Sequence, residues 1–207
     1  MSRPTKGTVQ QGTVQQLKRL ARYIRGCPRC VLKFRWQTDP QSFCTYVDSD
    51  WAGCTKTRRS TSGGVCMRGQ HPIRFWSRTQ ASVALSSGEA ELTSIVKGST
   101  EALGLSGMAK ELGMGTHRNH LFTDSSAANG AVHRQGAGRI KHVCTSVHWV
   151  QEQSARGKIV YKKIGREANC SDLLTHHWTT ATGAQHLERM GMKVLNVTGT
   201  AEPLAQI

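Results

Sequence analysis

Phe43-Cys44-Thr45-Tyr46-Val47-Asp48-Ser49-Asp50 reads as a strand that runs into acid. Its first five residues are aromatic, β-branched or compact, types that suit a pleated and half-buried surface. Asp48 stands where the strand gives way to a loop. Two further short strands are expected at residues 64–68 and 73–77, with Gly69-Gln70-His71-Pro72 as the turn between them. Ser86 and Glu89 form a capping-box pattern that opens a long helix. Leu92, Ile95, Val96, Ser99, Ala102, Leu103, Met108 and Leu112 mark its expected buried stripe, and Gly113 ends it.

Beyond that helix, Asn119-His120-Leu121-Phe122-Thr123 is a fourth strand that leads into Asp124-Ser125-Ser126 and a short Ala-rich helix. Residues 138–156 place Ile140, Val143, Cys144, Val147 and Val150 on one helical face. Ile159-Val160-Tyr161 reads as a last strand, and Asn169 begins a helix that contains Asp172. From residue 183 onward the pattern weakens to one helical turn near His186. Three consecutive strands favour an antiparallel meander, and strands joined through helices favour a parallel portion. A mixed α/β sheet satisfies both.

Upstream of the first strand the chain changes character. No acidic residue precedes Asp39, while Lys18, Arg19, Arg22 and Arg25 belong to a run of basic residues. Val14, Leu17, Leu20, Ala21 and Ile24 recur at helical intervals until Gly26 and Pro28 stop them. This basic amphipathic helix reads equally as a phosphate-contacting element and as a packed linker with a solvated face. The whole chain carries 28 Lys and Arg against 13 Asp and Glu, a net charge of +15 that favours a polyanionic partner. No apolar run approaches the ~18–20 residues that span a bilayer, and the start lacks a signal-peptide pattern, so membrane and secreted classes are disfavoured. Seven cysteines at irregular spacing point to reduced thiols. Cys27 and Cys30 have metal-ligand spacing but lack a matching second pair for zinc.

Because acids are scarce, their positions carry information. Asp48 ends the first expected strand, Glu91 opens the long helix, Asp124 ends the fourth strand and Asp172 opens the last helix. Functional groups in open α/β sheets gather beyond the carboxyl ends of parallel strands. Four carboxylates brought together there repel one another and select hard cations, Mg²⁺ or Mn²⁺. Two such ions roughly 3.5–4 Å apart stabilise both the attacking and the leaving oxygen of a phosphodiester. Each acid taken singly also fits a helix cap or a helix N-terminus, except Asp48, which starts no helix. Asp50 reads as a turn residue.

Several motifs then converge on one family. Tyr46-Val47-Asp48-Ser49-Asp50-Trp51-Ala52-Gly53, Arg59-Ser60-Thr61-Ser62-Gly63-Gly64 and Ala84-Leu85-Ser86-Ser87-Gly88-Glu89-Ala90-Glu91 closely resemble the ribonuclease H domain of copia-type retrotransposon polyproteins. So do Phe122-Thr123-Asp124-Ser125-Ser126, Arg139-Ile140-Lys141-His142 and Asp172-Leu173-Leu174-Thr175. Leu20-Ala21-Arg22-Tyr23-Ile24-Arg25-Gly26 looks like the basic helix that links reverse transcriptase to that domain, so the resemblance covers roughly residues 1–182. It implies an α/β ribonuclease H-like fold: a five-stranded mixed sheet, three antiparallel strands then parallel ones, flanked by helices. It also implies an endonuclease that cleaves the RNA strand of RNA–DNA hybrids with two Mg²⁺ ions, for which Mn²⁺ substitutes. The four family acids correspond to Asp48, Glu91, Asp124 and Asp172, as catalytic and metal-binding residues. The implied partners are the hybrid and a reverse transcriptase domain, with no membrane, in a cytoplasmic particle or the nucleus.

On the same resemblance, residues 1–40 form a basic helical connection segment, 41–182 the ribonuclease H-like domain and 183–207 a C-terminal tail. Many ribonucleases H carry a His in the loop before the last aspartate. Here that loop reads Gly165-Arg166-Glu167-Ala168-Asn169, and His176 and His177 follow Asp172 instead. A catalytically weak nucleic-acid-binding remnant is the alternative function.

Overall fold

A computed structural model of the chain describes residues 11–26, 28–136 and 144–195. Five strands form the main sheet: β2 (Ser42–Ser49), β3 (Thr61–Arg68), β4 (His71–Thr79), β5 (Arg118–Thr123) and β6 (Ile159–Lys163). Their order is β4-β3-β2-β5-β6. The β2–β3 and β3–β4 pairs are antiparallel, while β2–β5 and β5–β6 are parallel. The mixed α/β sheet expected from the strand and helix order is the one observed.

Alternation along β2 decides what each face of the sheet covers. Phe43, Thr45 and Val47 are buried on one face, beneath α2 (Ser87–Glu111). α3 (Ser126–His133) and α4 (Cys144–Ala155) complete that layer, and Leu92, Ile95, Leu121, Val132, Val147 and Val150 form its core. On the other face Tyr46 joins Val65, Met67, Cys170 and Met190 in a smaller cluster. Leu173 and Leu174 of the 3₁₀ turn Cys170–Leu174 and Leu187 of α5 (Thr180–Arg189) pack against that cluster, and a second 3₁₀ turn, Arg166–Ala168, precedes them.

The capping pattern at α2 is realised, with the Ser86 hydroxyl accepting from the Glu89 amide at 3.2 Å. Glu89 reaches back one residue further than a capping box requires and accepts from the Leu85 amide at 2.8 Å. The expected apolar stripe of α2 is buried only in part. Met108 and Leu112 are 58% and 70% exposed, while Ala109 between them is buried. Gly113, at φ 72°, takes the left-handed conformation that terminates the helix.

Gly98 is the point of closest helix-to-sheet approach. A Cβ there would lie 2.4 Å from Val47 Cγ1 and 3.1 Å from Leu121 Cδ1. Gly98→Ala is therefore expected to destabilise by about 1–3 kcal/mol through overpacking, despite alanine's better helix propensity. Gly104→Ala on the same helix meets nothing within 4 Å and is expected to stabilise by up to about 1 kcal/mol. Chemical denaturation of the two variants side by side checks both signs.

Three features differ from the sequence reading. The segment around Asp172 is a 3₁₀ turn rather than the start of an α-helix. The Asp172 carbonyl accepts from the Trp178 indole at 2.7 Å and from the His176 amide at 3.1 Å, which closes the turn and releases the chain toward α5. The region after residue 183 continues α5 and adds strand β7 (Met192–Leu195). β7 pairs antiparallel with a short upstream strand, β1 (Arg29–Leu32), as a two-stranded ribbon. The Arg139-Ile140-Lys141-His142 motif, the first residues of the 138–156 helix and Cys27 lie outside the described residues. α1 (Gln11–Gly26) is the amphipathic helix expected from the apolar spacing.

Candidate active site

The parallel register of β2 and β5 brings the carboxyl ends of these strands together, and Asp48 and Asp124 sit there. Glu91, in the first turns of α2, reaches the same point, so carboxylate oxygens of Asp48, Glu91 and Asp124 lie within 4.8 Å of one another. From the other face the 3₁₀ turn delivers Asp172, which shares a second group of the same span with Asp48 and His176. All four acids singled out in the sequence are thus brought to one place, with Asp48 common to both groups. Asp50 is not among them. Its carboxylate accepts from the Thr61 amide and braces the loop between β2 and β3.

Two glycine-sized gaps make this convergence possible. Gly63 faces Asp48 across the β2–β3 ladder. A Cβ on Gly63 would lie 2.7 Å from Thr175 Cγ2 and 3.1 Å from the Ser171 carbonyl, so the absent side chain lets the turn settle beside Asp48. Gly64, its neighbour on the opposite face, is covered by the Trp76 ring. Asn169 then fixes the turn from below. Fully buried, it donates to the Val47 carbonyl at 3.0 Å and accepts from the Ser171 hydroxyl at 2.6 Å.

Each carboxylate has a specific set of partners. Glu91 Oε1 accepts from the amide and the hydroxyl of Ser49, at 3.2 and 3.0 Å. Asp48 accepts from the Thr175 hydroxyl, and His176 Nε2 lies 3.6 Å from Asp48 Oδ2 and 3.5 Å from Asp172 Oδ1. Arg166 Nε donates to Asp172 Oδ2 at 3.1 Å while its guanidinium stacks 5.8 Å over the Trp178 ring. Glu91 Oε2 and Asp172 Oδ1 are buried with no hydrogen bond among the described residues. Unsatisfied buried carboxylate oxygens are costly, and in the acid cluster these two could serve as ligand atoms for a cation. An all-oxygen donor set of this kind fits hard divalent ions such as Mg²⁺.

The electrostatics follow from the crowding. Burial pushes Asp48 up to about 7, aided by the charges of Asp172 and Asp124 and partly offset by the Thr175 hydrogen bond. Burial likewise pushes Glu91 up to about 8, with the Asp48 charge adding to it. Asp124 is raised by burial and by Asp172. Arg166 is raised in turn by its contact with Asp172. A cation would favour the ionised form of every acid in this group.

Sequence reasoning missed the supporting residues Asn169, Thr175, Arg166 and Trp178. Asn169 carried the one legible signal, since Asn before a helical turn is a preferred cap. His176 had been set aside because it follows Asp172 instead of preceding it. The 3₁₀ turn folds it back onto the acids. Of the tryptophans, Trp76 and Trp149 pack against the core while Trp51 is 55% exposed and donates to the Ala84 carbonyl.

Known proteins share both the sequence and the fold. The chain is 31% identical over 165 residues, 77% of its length, to the retrovirus-related Pol polyprotein from transposon RE2 of Arabidopsis thaliana. It is 30% identical over 166 residues to that from transposon TNT 1-94 of Nicotiana tabacum. It spans only 11% and 12% of the lengths of these two polyproteins. No protein-family model matches the sequence. Among solved structures, LC11-RNase H1, isolated from compost by a metagenomic approach, superposes with a TM-score of 0.52 at 12% identity. That superposition covers 65% of this chain and 92% of that one. The chain is therefore a relative of the Pol polyproteins of copia-type transposons, and its five-stranded mixed sheet with flanking helices is a ribonuclease H-like fold.

Proposed function

We propose that this chain is a metal-dependent ribonuclease H that hydrolyses the RNA strand of RNA–DNA hybrids. The observation that carries the reading is the convergence of Asp48, Glu91, Asp124 and Asp172 at the carboxyl ends of β2 and β5. These four are the ligands for two Mg²⁺ ions, with Mn²⁺ as substitute. Held there, divalent ions supply an activated water and neutralise charge on the phosphodiester.

The rest of the work falls to the chain's own groups. Ser49 fixes the orientation of Glu91, and the Thr175 hydroxyl fixes Asp48. Arg166 holds the Asp172 carboxylate and Trp178 its backbone carbonyl. His176 places a ring nitrogen against two of the acids and closes the lower side of the site. Discrimination of RNA from DNA would rest on the 2′-hydroxyl. In this reading residues 1–40 connect the domain of residues 41–182 to a reverse transcriptase domain, and residues 183–207 form its tail. Reverse transcription in a cytoplasmic particle or the nucleus is the setting. Among the described residues no helix is long and apolar enough to cross a membrane.

Incubation with labelled RNA–DNA hybrid, duplex DNA and duplex RNA tests the reading. Cleavage of the hybrid alone in Mg²⁺, abolished by EDTA, is the expected result. Tight binding of the hybrid without cleavage would leave a nucleic-acid-binding remnant of the same domain.

A further inference from the structure

α1 is exposed along residues 14–25, unlike a packed linker. Leu17 and Ile24 are 58% and 57% exposed and do not line the groove beside the helix, whereas Leu20 and Tyr23 do. Lys18, Arg19 and Arg22 also line this groove, which measures about 1070 Å³ and is shared with the segment that follows Asp172. Across the gap stand His176, His177 and Trp178. Every described side chain of residues 14–25 is exposed, so the helix stands off from that wall and leaves the gap open.

The charge of this groove is one-sided. No carboxylate is among its lining residues, and Lys18, Arg19 and Arg22 form no ion pair among the described residues. Three cations facing an indole and two imidazoles, with no internal counter-charge, match a chain of phosphates that carries flat bases. The groove borders the acid cluster at His176, whose Nε2 lies 3.5 Å from Asp172 Oδ1. Cations on an isolated helix face are ordinarily solvated. Here they are aimed at a wall that ends on the site.

We propose that this groove is a nucleic-acid strand site: one strand of the substrate runs from the acid cluster between α1 and Trp178. Its phosphates lie on Lys18, Arg19 and Arg22, and a base or sugar lies against Trp178. The assignment rests on the ribonuclease H reading for the identity of the strand, though not for the existence of the site. Of the two readings of α1 left open by the sequence, it takes phosphate contact.

The test is equilibrium binding of the full chain to a fluorescent RNA–DNA hybrid in EDTA, where no cleavage intervenes, across a series of salt concentrations. Two variants are compared with the wild type: K18Q/R19Q/R22Q in the groove, and L17S/I24S outside its lining. The groove variant is expected to melt at the wild-type temperature, to bind about tenfold more weakly near 0.1 M salt, and to lose about two units of salt slope. The second variant is expected to bind as wild type does. Wild-type affinity and slope in the groove variant would overturn the proposal. So would a loss that follows L17S/I24S, which would mark the apolar face as a protein contact. A wild type that binds through α1 yet never cleaves in Mg²⁺ leaves the strand site standing and removes the nuclease reading. Cleavage with α1-independent binding does the reverse.

Discussion

Replacing Asp48 by Asn is expected to abolish hybrid cleavage while raising the melting temperature of the metal-free chain. Asp48 is the one acid that belongs to both groups of the cluster, so its charge bears on every proposed ligand. Metal-mediated stabilisation of a phosphoryl transition state is worth several kcal/mol, and each 1.36 kcal/mol is tenfold in rate. A loss of at least about 100-fold follows. Stability moves the other way, because the charges of Asp172 and Asp124 oppose ionisation of Asp48 and the Asp48 charge opposes that of Glu91. Asn removes one of these charges and keeps an oxygen that can accept from Thr175. In EDTA near pH 8 the gain is expected to be about 1 kcal/mol or more, roughly 2–4 °C for a chain of this size. Gel assays and calorimetry on the same preparation measure both. A variant that still cuts at the wild-type rate would remove Asp48 from the metal site. A lowered melting temperature would mean that its charge is structural.

The second large effect is a stability profile that falls with pH and on which added metal acts more strongly as pH rises. Asp48 at about 7 and Glu91 at about 8 both lie above the values near 4 expected for unfolded carboxylates. Between those limits the native chain binds more protons than the unfolded one, so stability falls as pH rises. The contribution is fully present below pH ~4 and is lost as pH climbs through 7 and 8. Asp124, raised as well, adds in the same sense. In EDTA the stability should therefore decline from pH 5 to pH 9 by an amount on the order of a few kcal/mol, and the melting temperature with it. Mg²⁺ binds the ionised acids, so its stabilising effect should be near zero at pH 5 and largest at pH 9. Scanning calorimetry at five pH values, with and without Mg²⁺, decides the matter. A flat profile in EDTA, or a Mg²⁺ effect that does not grow with pH, contradicts a clustered acid site.

How much of this was legible beforehand depends on the range of the interaction. β2 announced itself through its strand-forming residue types, and Asp48 and Asp124 through their positions at the ends of strands, because both signals are local. The α2 cap was legible for the same reason, as a hydroxyl three residues before an amide that needs it. The turn at Asp172 was misjudged as α-helix because its geometry is set from afar. Asn169 bonds the Val47 carbonyl, far upstream, and Gly63 leaves room for Thr175 only after β3 has paired with β2. His176 entered the site for that reason alone. Spacing also revealed the two faces of α1 but not which residues would line the groove, since periodicity carries no direction.

The β1–β7 ribbon has a consequence for the order in which this fold can be made. Its two strands, Arg29–Leu32 and Met192–Leu195, flank almost the whole described chain, and every strand of the main sheet lies between them. Chains are synthesised from the N-terminus, and long-range pairs are the last that a folding chain can afford to close. During translation β1 is exported early and waits unpaired while the main sheet and α2 assemble. Only when the segment after α5 clears the ribosome does β1 acquire its partner. The ribbon is thus a completion mark: a truncated or stalled product would carry the assembled sheet with a dangling β1, and a protease could tell the finished domain from the unfinished one.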